Sequence, residues 1–284
     1  MSIRFLSVLN VPELPEVETI RSGLAKVLEG RKCKEVLVRR SDLRRPLPNK
    51  FVEKVKGRVF TRIGRRAKYL LLHLEDNKVV LVHLGMSGRM VLGGQSNPTR
   101  HDHVVFDFEG GVRLSFNDPR RFGLIDLTET DQVSRHPLIE ALGPEPLGPD
   151  FDGRLLTTIL SGRTASIKAL LMDQKIVAGL GNIYACESLF LARLSPRRSG
   201  ASVAGVRAER LARSIREVLS AAIAAGGSSL RDYVQAHGEL GYFQHKFKVY
   251  GRAGEACASG MSDHFVRRLV QSNRSTFYCP LCQR

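Results

Sequence analysis

The stretch PELPEVETIRSGL, residues 12–24, predicts a helix that leads into the rest of the chain. Pro15 suits the first turn of a helix, and Glu16 and Glu18 suit the positive end of the helix dipole. Apolar residues then recur with helical spacing on one face, at Val17, Ile20, Leu24, Val27 and Leu28. The pattern therefore predicts an amphipathic helix that begins near Pro15 and ends at the sequence GRK of residues 30–32.

Short runs typical of β-strands follow this helix. They are KEVLVRR at 34–40, YLLLHL at 69–74, KVVLVHLGM at 78–86, HVVFDFE at 103–109 and VRLSFND at 112–118. The sequences EDN and EGG between pairs of these runs are turn signals. We therefore expect a β-rich N-terminal domain with one leading helix over residues 12–135.

The hydrophobic period changes after HPLIEALGPEPLGPDFDG, residues 136–153, which is rich in Pro and Gly and suggests a domain boundary. Helical patterns follow at 164–177, at 182–194 and at 206–225. They predict a helical second domain over residues 146–245. The tail, residues 247–284, is rich in Gly, Cys and aromatic residues and predicts a small metal-stapled hairpin, so the fold class is α+β.

Charge is the strongest compositional signal. The 284 residues include 44 Lys and Arg against 28 Asp and Glu, for a formal net charge of +16. Such an excess favours nucleic acid or an anionic surface as the partner, and the alternative is a generic basic protein. Nucleic acid is favoured, because the basic residues cluster around motifs rather than in a disordered tail. No apolar run reaches the length of a membrane span, and the first ten residues lack a secretion signal. We expect a cytoplasmic, nucleoid-associated protein that is monomeric and does not bind membranes.

Five cysteines occur, at Cys33, Cys186, Cys257, Cys279 and Cys282. Their odd number and the lack of a secretion signal argue against a disulfide framework. Three of the five lie in the last 28 residues, which favours a metal site in the tail.

Ten motifs occur in one order along the chain: PELPEVE, GRRAKYLL, HLGMSG, HDHV, DPRRFG, LGPEPL, GLGNIYACESLF, GYF, VYGRAGE and STFYCPLC. Together they closely resemble the bacterial formamidopyrimidine-DNA glycosylases, from Pro12 to Arg284. The resemblance implies an N-terminal β-sandwich, a helix–two-turn–helix domain and a C-terminal zinc finger. It also implies base excision repair of double-stranded DNA, in which oxidised purines such as 8-oxoguanine are removed and the abasic strand is cleaved by β,δ-elimination.

The resemblance implies that Pro12 is the nucleophile, because a free secondary amine that attacks the sugar C1′ yields a cationic iminium that acts as an electron sink. Pro12 follows Val11 here, and an amide nitrogen cannot do this chemistry. Three interpretations stay open: a GTG start at Val11 that is read as Met and removed, a protease that exposes Pro12, or an inactive enzyme. The first is favoured, because Val11 stands at the family's Met position.

Other catalytic roles follow from the same resemblance. Glu13 would be the general acid, with Glu16 in a supporting role. Lys68 would contact DNA at the lesion and assist β-elimination, and Arg274 would contact phosphate and assist δ-elimination. Taken alone, each has a simpler interpretation as a helix-dipole carboxylate or a solvated charge.

Residues that open and hold the duplex are also implied. Met86, Arg120 and Phe122 would fill the gap left by an everted base, because apolar wedges and an Arg suit that task. His101, Arg163 and Asn182, with Lys168 as a weaker candidate, would hold the DNA backbone. Free backbone amides at the start of the helix at Asn182 would also favour a phosphate. The loop QAHGELGYF, residues 235–243, would cover the everted base.

The zinc finger departs from the family pattern of two Cys-x2-Cys pairs. Cys279 and Cys282 form the second pair, and Cys257 starts the first, but Gly260 stands where the fourth ligand belongs. His264, Asp263 or water could complete a tetrahedral zinc site, or the hairpin could be metal-free.

Two functional alternatives stay open beside the purine glycosylase and abasic-site lyase. One is a glycosylase of the endonuclease VIII type, which prefers oxidised pyrimidines. The other is a DNA-binding protein without catalysis, which a blocked Pro12 would produce.

Overall fold

The computed structural model describes residues 12–93, 97–228 and 243–284. These residues form two compact units. The first unit holds Pro12 and Glu16–Ser134, and the second holds Glu13–Pro15, Arg135–Ser228 and residues 243–284. The three domain boundaries expected from the sequence, 12–135, 146–245 and 247–284, stay a prediction. No helix of the described part of the chain is long and apolar enough to cross a membrane.

The regular elements mix helices with antiparallel strands. The helices are α1 (Leu14–Leu28), α2 (Phe51–Val55), α3 (Pro137–Glu140), α4 (Gly153–Leu160), α5 (Ile167–Met172), α6 (Asn182–Leu191) and α7 (Val206–Ala224). The strands are β1 (Arg31–Val38), β2 (Val59–Arg66), β3 (Tyr69–Leu74), β4 (Lys78–His83), β5 (Arg89–Gly93), β6 (Asp102–Phe108), β7 (Arg113–Asn117), β8 (Leu124–Glu129), β9 (Arg267–Gln271) and β10 (Arg274–Tyr278). The predicted α+β class is confirmed.

Helix α1 confirms the prediction from the opening stretch. It begins at Leu14, one residue before the predicted start, and ends at Leu28. Its apolar face, which includes Val17, Ile20 and Leu24, is buried in the core of the first unit. The helix is thus held by the burial of one face, and each fully buried aliphatic side chain contributes about 1.5–3 kcal/mol.

Eight strands of the first unit form a continuous antiparallel sheet in the order β5-β7-β6-β1-β2-β3-β4-β8. Strand β1 joins its two halves: Arg31 and Lys32 pair with β2, while Cys33 to Val38 pair with β6. Both halves point side chains into one core, in which the Phe60 and Phe108 rings lie 4.9 Å apart. The two halves therefore enclose the core as the two layers of a sandwich.

The five strand-like runs correspond to β1, β3, β4, β6 and β7, whereas β2, β5 and β8 were not predicted from the sequence. Strand β2, VFTRIGRR, illustrates the reason, because its interior glycine and three arginines obscure the hydrophobic pattern. It forms because both of its neighbours, β1 and β3, supply hydrogen-bonding partners.

In the second unit, α6 is the central helix. Its residues from Ile183 to Leu189 are all buried, which is typical of a helix surrounded by protein. The helix predicted over residues 164–177 is shorter than expected, because α5 ends at Met172. There the Oδ1 of Asp173 accepts the backbone N–H of Lys175 in a turn that competes with the helix. Strands β9 and β10 form the predicted C-terminal hairpin.

Candidate functional site

Glu13 anchors the start of α6. Its Oε2 accepts the backbone N–H of Gly181 over 2.8 Å, and its Oε1 accepts that of Ile183 over 2.9 Å. The N–H of Tyr184 lies 3.4 Å from the same Oε2. Because these donors sit at the positive end of the helix, the buried carboxyl group caps α6 rather than the helix that follows it in sequence.

The expectation of free amides for a phosphate at the start of α6 is therefore wrong. The N–H groups of Gly181, Ile183 and Tyr184 already donate to Glu13. Gly181 is needed for this contact, because a Cβ at that position would lie 2.3 Å from the Cδ of Glu13. The sequence GLGN thus admits a carboxyl group of the chain itself to the helix terminus.

Lys168 and Asn182, both predicted to hold the DNA backbone, converge on the carbonyl oxygen of Ser275. The Nζ of Lys168 donates to it over 3.4 Å, and the Nδ2 of Asn182 donates to it over 2.9 Å. Lys168 is buried in α5, and this burial lowers the pKa of its amine, with the nearby Arg274 acting in the same direction. The structure thus places two hydrogen-bond donors, one of them a desolvated amine, beside β10.

Arg274 begins β10 at the tip of the C-terminal hairpin and is exposed. The two residues before it, Ser272 and Asn273, both have positive φ angles, of 48° and 58°, as a two-residue hairpin turn requires. An open pocket beside the turn is lined by Lys168, Ala169, Met172, Asp173, Gln271, Ser272 and Arg274. Two basic side chains, Lys168 and Arg274, and one acid, Asp173, therefore line one pocket.

Arg163 does not join this group in the described contacts. It follows α4, is exposed, and its Nε donates to the carbonyl of Ile159 over 2.7 Å. Its proposed phosphate contact therefore stays a prediction.

In the first unit, Lys68 lies in the turn between β2 and β3, where Ala67 has a φ angle of 51°. Burial lowers the pKa of His83 to about 4, and the charge of the nearby Lys68 acts in the same direction. The neutral ring accepts the N–H of Gly85 on its Nδ1 over 3.0 Å, which fixes the turn before Met86. Pro12 is buried, and Val11 lies outside the described residues.

Met86 and the pair Arg120 and Phe122 occupy two loops of the first unit that touch each other. A Cβ at Gly85 would lie 2.4 Å from the carbonyl carbon of Phe122, so the two backbones are in direct contact. The Phe122 side chain is 43% exposed, and the Arg120 guanidinium lies 4.6 Å from the centre of its ring. The structure therefore places Arg120 and Phe122 together on an exposed surface, with the partly buried Met86 on the adjoining loop.

His101 directly precedes β6 and is partly buried. Its ring lies 6.4 Å from that of His103, and its carbonyl accepts the N–H of Asp118 over 3.0 Å. Of the predicted base-covering loop, residues 235–242 lie outside the described residues, and Phe243 is buried.

A cluster of four donors lies at the C-terminal end of the chain. Cys257, His264, Cys279 and Cys282 each offer one atom, and all four atoms lie within 4.8 Å of one another. The Nδ1 of His264 is 3.1 Å from the Sγ of Cys282, which is 3.7 Å from the Sγ of Cys257. Tetrahedral zinc with S and N ligands has edges of about 3.5–3.8 Å, so these residues could hold one metal ion.

His264, and not Asp263, takes the fourth position of the cluster. Cys257 donates its N–H to the carbonyl of His264 over 2.7 Å, in a small hairpin that turns at Gly260. This pairing brings the two side chains together across the hairpin. Gly260 has a φ angle of 76°, a conformation that a cysteine adopts only with strain. The ligand left open by the sequence is thus set by backbone pairing.

Glu187 of α6 is a second buried acid, and its role was not predicted from the sequence. Its carboxyl group accepts the backbone N–H groups of Lys248, Val249 and Tyr250 over 2.8–3.0 Å. Burial raises its pKa, and the three N–H donors oppose that shift. Glu187 therefore holds the segment that leads into the hairpin. A Glu within an otherwise apolar helix was the signal that could have revealed it.

Comparisons with known proteins agree with this geometry. The family model of the formamidopyrimidine-DNA glycosylase N-terminal domain matches residues 11–125, and that of the formamidopyrimidine-DNA glycosylase H2TH domain matches residues 142–234. The formamidopyrimidine-DNA glycosylase of Cereibacter sphaeroides is 54% identical over 283 residues, which cover 96% of this chain and all of the relative.

Solved structures show the same similarity. The Fpg protein of Thermus thermophilus is 40% identical with a TM-score of 0.86, over 96% of this chain and 98% of that one. A Lactococcus lactis Fpg mutant in complex with a Fapy-dG-containing DNA is 35% identical with a TM-score of 0.88, over 96% of this chain and 100% of that one.

Proposed function

Since the chain belongs to the formamidopyrimidine-DNA glycosylase family, a family of DNA-repair glycosylases, we propose that it excises oxidised purines from double-stranded DNA and then cleaves the abasic strand. The observation that carries the proposal is that the loop of Met86 touches the loop that exposes Arg120 and Phe122. A glycosylase must take its target base out of the stack, and two apolar side chains with a stacked guanidinium suit the gap that this base leaves.

The proposed chemistry starts at the Pro12 nitrogen. As a free secondary amine, it attacks C1′ and loses its proton, while the bond from C1′ to the base breaks and the base leaves with a proton from an acid. The sugar ring then opens at the C1′–O4′ bond, O4′ takes up a proton, and an iminium joins protein and sugar. Loss of the proton at C2′ then expels the 3′-phosphate, and a second elimination expels the 5′-phosphate. We propose Glu13 as the acid, and Lys68 and Arg274 as assistants in the two eliminations.

This chemistry requires Pro12 to be the first residue of the working protein, because an amide nitrogen cannot form an iminium. The match of the N-terminal family model begins at residue 11, directly before Pro12. This start of the match supports the proposal that the working protein starts at Pro12.

Two cationic groups support DNA binding by the second unit. Lys168 and Arg274 face one pocket, and the whole chain carries a net charge of +16. We propose that this pocket receives a backbone phosphate next to the lesion, with Asn182 beside it. The complex of the Lactococcus lactis relative with Fapy-dG-containing DNA supports DNA as the partner and a damaged purine as the substrate.

We propose zinc as the ion of the C-terminal cluster. Three thiolates and one imidazole are ligand types that structural zinc prefers, and the four donor atoms lie within 4.8 Å of one another. Bound zinc would lock the hairpin that carries Arg274. We also propose that the protein acts as a monomer in the cytoplasm, at the nucleoid.

The proposal is tested by trapping the covalent adduct. The gene is expressed from its own start region, the protein is mixed with a duplex that contains 8-oxoguanine, and borohydride is added. An adduct of DNA with a protein that starts at Pro12 is expected, and strand cleavage should accompany it without borohydride. Intact protein from Met1, with salt-dependent binding but no adduct and no cleavage, would instead indicate a DNA-binding protein without catalysis.

Paired substrates test the lesion class. Duplexes with 8-oxoguanine or a formamidopyrimidine should be cut faster than duplexes with an oxidised pyrimidine. Faster cutting of the pyrimidine duplexes would favour an enzyme of the endonuclease VIII type.

A further inference from the structure

Asp118 is a buried acid that joins the two loops of the first unit that carry Met86, Arg120 and Phe122. Its side chain is fully buried, although it belongs to the exposed loop DPRRFG, residues 118–123. Buried acids are rare unless several donors satisfy them. Burial of Asp118 beneath an exposed loop therefore requires hydrogen-bond donors from the surrounding segments.

The carboxyl oxygens of Asp118 reach both loops. Oδ1 accepts the hydroxyl of Ser87, which directly follows Met86, and lies 3.3 Å from the backbone N–H of Arg120. Oδ2 accepts the N–H of Gly123, which directly follows Phe122, over 2.8 Å. One carboxyl group thus fixes the backbone on both sides of the Arg120–Phe122 turn and the residue after Met86.

The backbone of Asp118 adds a third segment. Its N–H donates to the carbonyl of His101 over 3.0 Å, and its carbonyl lies 2.8 Å from the Nε2 of His103. The same carbonyl accepts the N–H of Arg121 over 3.3 Å. The residue proposed to hold the DNA backbone, His101, is therefore tied to the wedge loops through Asp118.

The loop between these contacts is strained and closely packed. Arg121 has a φ angle of 58°, in the left-handed region that non-glycine residues rarely adopt. A Cβ at Gly123 would lie 2.6 Å from the Phe116 ring and 2.9 Å from the carbonyl oxygen of His83. Such a conformation persists only where surrounding contacts over-determine it, and Asp118 supplies three of them.

We propose that Asp118 is a positioning residue that holds Met86, Arg120 and Phe122 as one rigid wedge for opening the DNA duplex. The inference rests on the proposed function, since it assigns a cause to the geometry of those three residues. Unstacking and unpairing a base costs a few kcal/mol. Ordering a loop on binding costs free energy. Side chains that are already held in place therefore offset more of the cost of opening the duplex than side chains on a loop that must first be ordered.

The substitution Asp118→Asn weakens the hydrogen bonds of this side chain to the two loops and leaves its volume almost unchanged. Asparagine keeps one acceptor oxygen, so its NH₂ group faces the N–H of either Arg120 or Gly123. Hydrogen bonds to charged groups are strong enough that we expect a loss of about tenfold to a hundredfold in kcat/KM on a paired duplex. A single-stranded abasic substrate has no partner strand to open, so its cleavage should change less than about threefold.

Two further variants frame this comparison. Ser87→Ala removes one donor to Asp118 from a partly exposed residue, and it should show the same split between duplex and single strand with a smaller loss. Asp107→Asn is the matched control, because it breaks the pair of Asp107 with Arg113 in β6 and β7 of the same unit, away from both loops. It should leave both substrates unaffected.

The opening step is measured separately from the chemistry. A duplex with a tetrahydrofuran abasic analogue and 2-aminopurine opposite it should brighten when the wild-type protein binds, and Asp118→Asn should bind with less of this rise. If the folded variants Asp118→Asn and Ser87→Ala lose kcat/KM equally on both substrates, or lose it on neither, the positioning role is wrong. If the wild-type protein cuts neither substrate, the proposed function fails, and the fluorescence rise still decides whether Asp118 holds the wedge.

Discussion

Replacing Glu13 with Gln should unfold the second unit at a lower temperature, because Glu13 satisfies backbone donors at the start of α6. Gln keeps one acceptor oxygen, which can serve Gly181 and Tyr184 from the position of Oε2. Its NH₂ group then faces the N–H of Ile183, which loses the acceptor that it has over 2.9 Å. The substitution therefore leaves a buried backbone donor without a partner.

Two contributions set the size of the effect. A buried unsatisfied donor costs about 1–3 kcal/mol. Removal of a negative charge from a helix N-terminus costs about 0.3–2 kcal/mol more. We expect a loss of about 2–4 kcal/mol in the free energy of unfolding, which lowers the Tm by roughly 5–15 °C for a domain of this size.

Thermal unfolding followed by circular dichroism measures this shift. The matched control is Glu217→Gln, since Glu217 is an exposed acid of α7 in the same unit, and it should stay within about 0.5 kcal/mol of the wild type. Glu13→Gln protein that melts within about 2 °C of the wild type would refute the anchoring role. It would then leave Glu13 only its proposed part in the chemistry.

Three further predictions follow from the described contacts. His264→Ala should weaken zinc binding at least about tenfold in a colorimetric competition assay and lower the Tm, whereas Asp263→Ala should bind zinc as the wild type does. An equal loss of zinc affinity in both variants would contradict the ligand set. Burial lowers the pKa of His83 from 6.5 to about 4, so the stability that its neutral form gives is complete above pH 6.5 and is lost as the pH falls from 6.5 through 4, by up to about 3 kcal/mol. The Tm of the wild type should therefore fall more steeply over this range than that of His83→Gln, and parallel curves would count against it. Gly181→Ala should destabilise the protein by about 1–3 kcal/mol, because the new Cβ meets the carboxyl group of Glu13, and Glu13→Ala should partly relieve this cost in a double-mutant cycle.

The amino-acid sequence by itself determined the periodic elements and the family. Helix α1 could be predicted because its apolar residues recur with a period that depends only on local geometry. The strands with continuous apolar runs could be predicted for the same reason. The motifs identified the family because residue types and their order can be recognised without knowledge of the contacts that the residues make. The family models match residues 11–125 and 142–234.

Only the tertiary structure decided what the polar residues contact. The sequence neighbours of Glu13 favour an interaction with the dipole of α1, yet its carboxyl group caps α6, which lies about 170 residues further along the chain. His264 became a member of the metal cluster through backbone pairing with Cys257. Asp118 showed no pattern in the sequence, and Glu187 showed only as an acid within an apolar helix, which does not identify the groups that it binds. A hydrogen bond depends on distance and angle between two groups, and neither group's sequence neighbours specify where the other will lie.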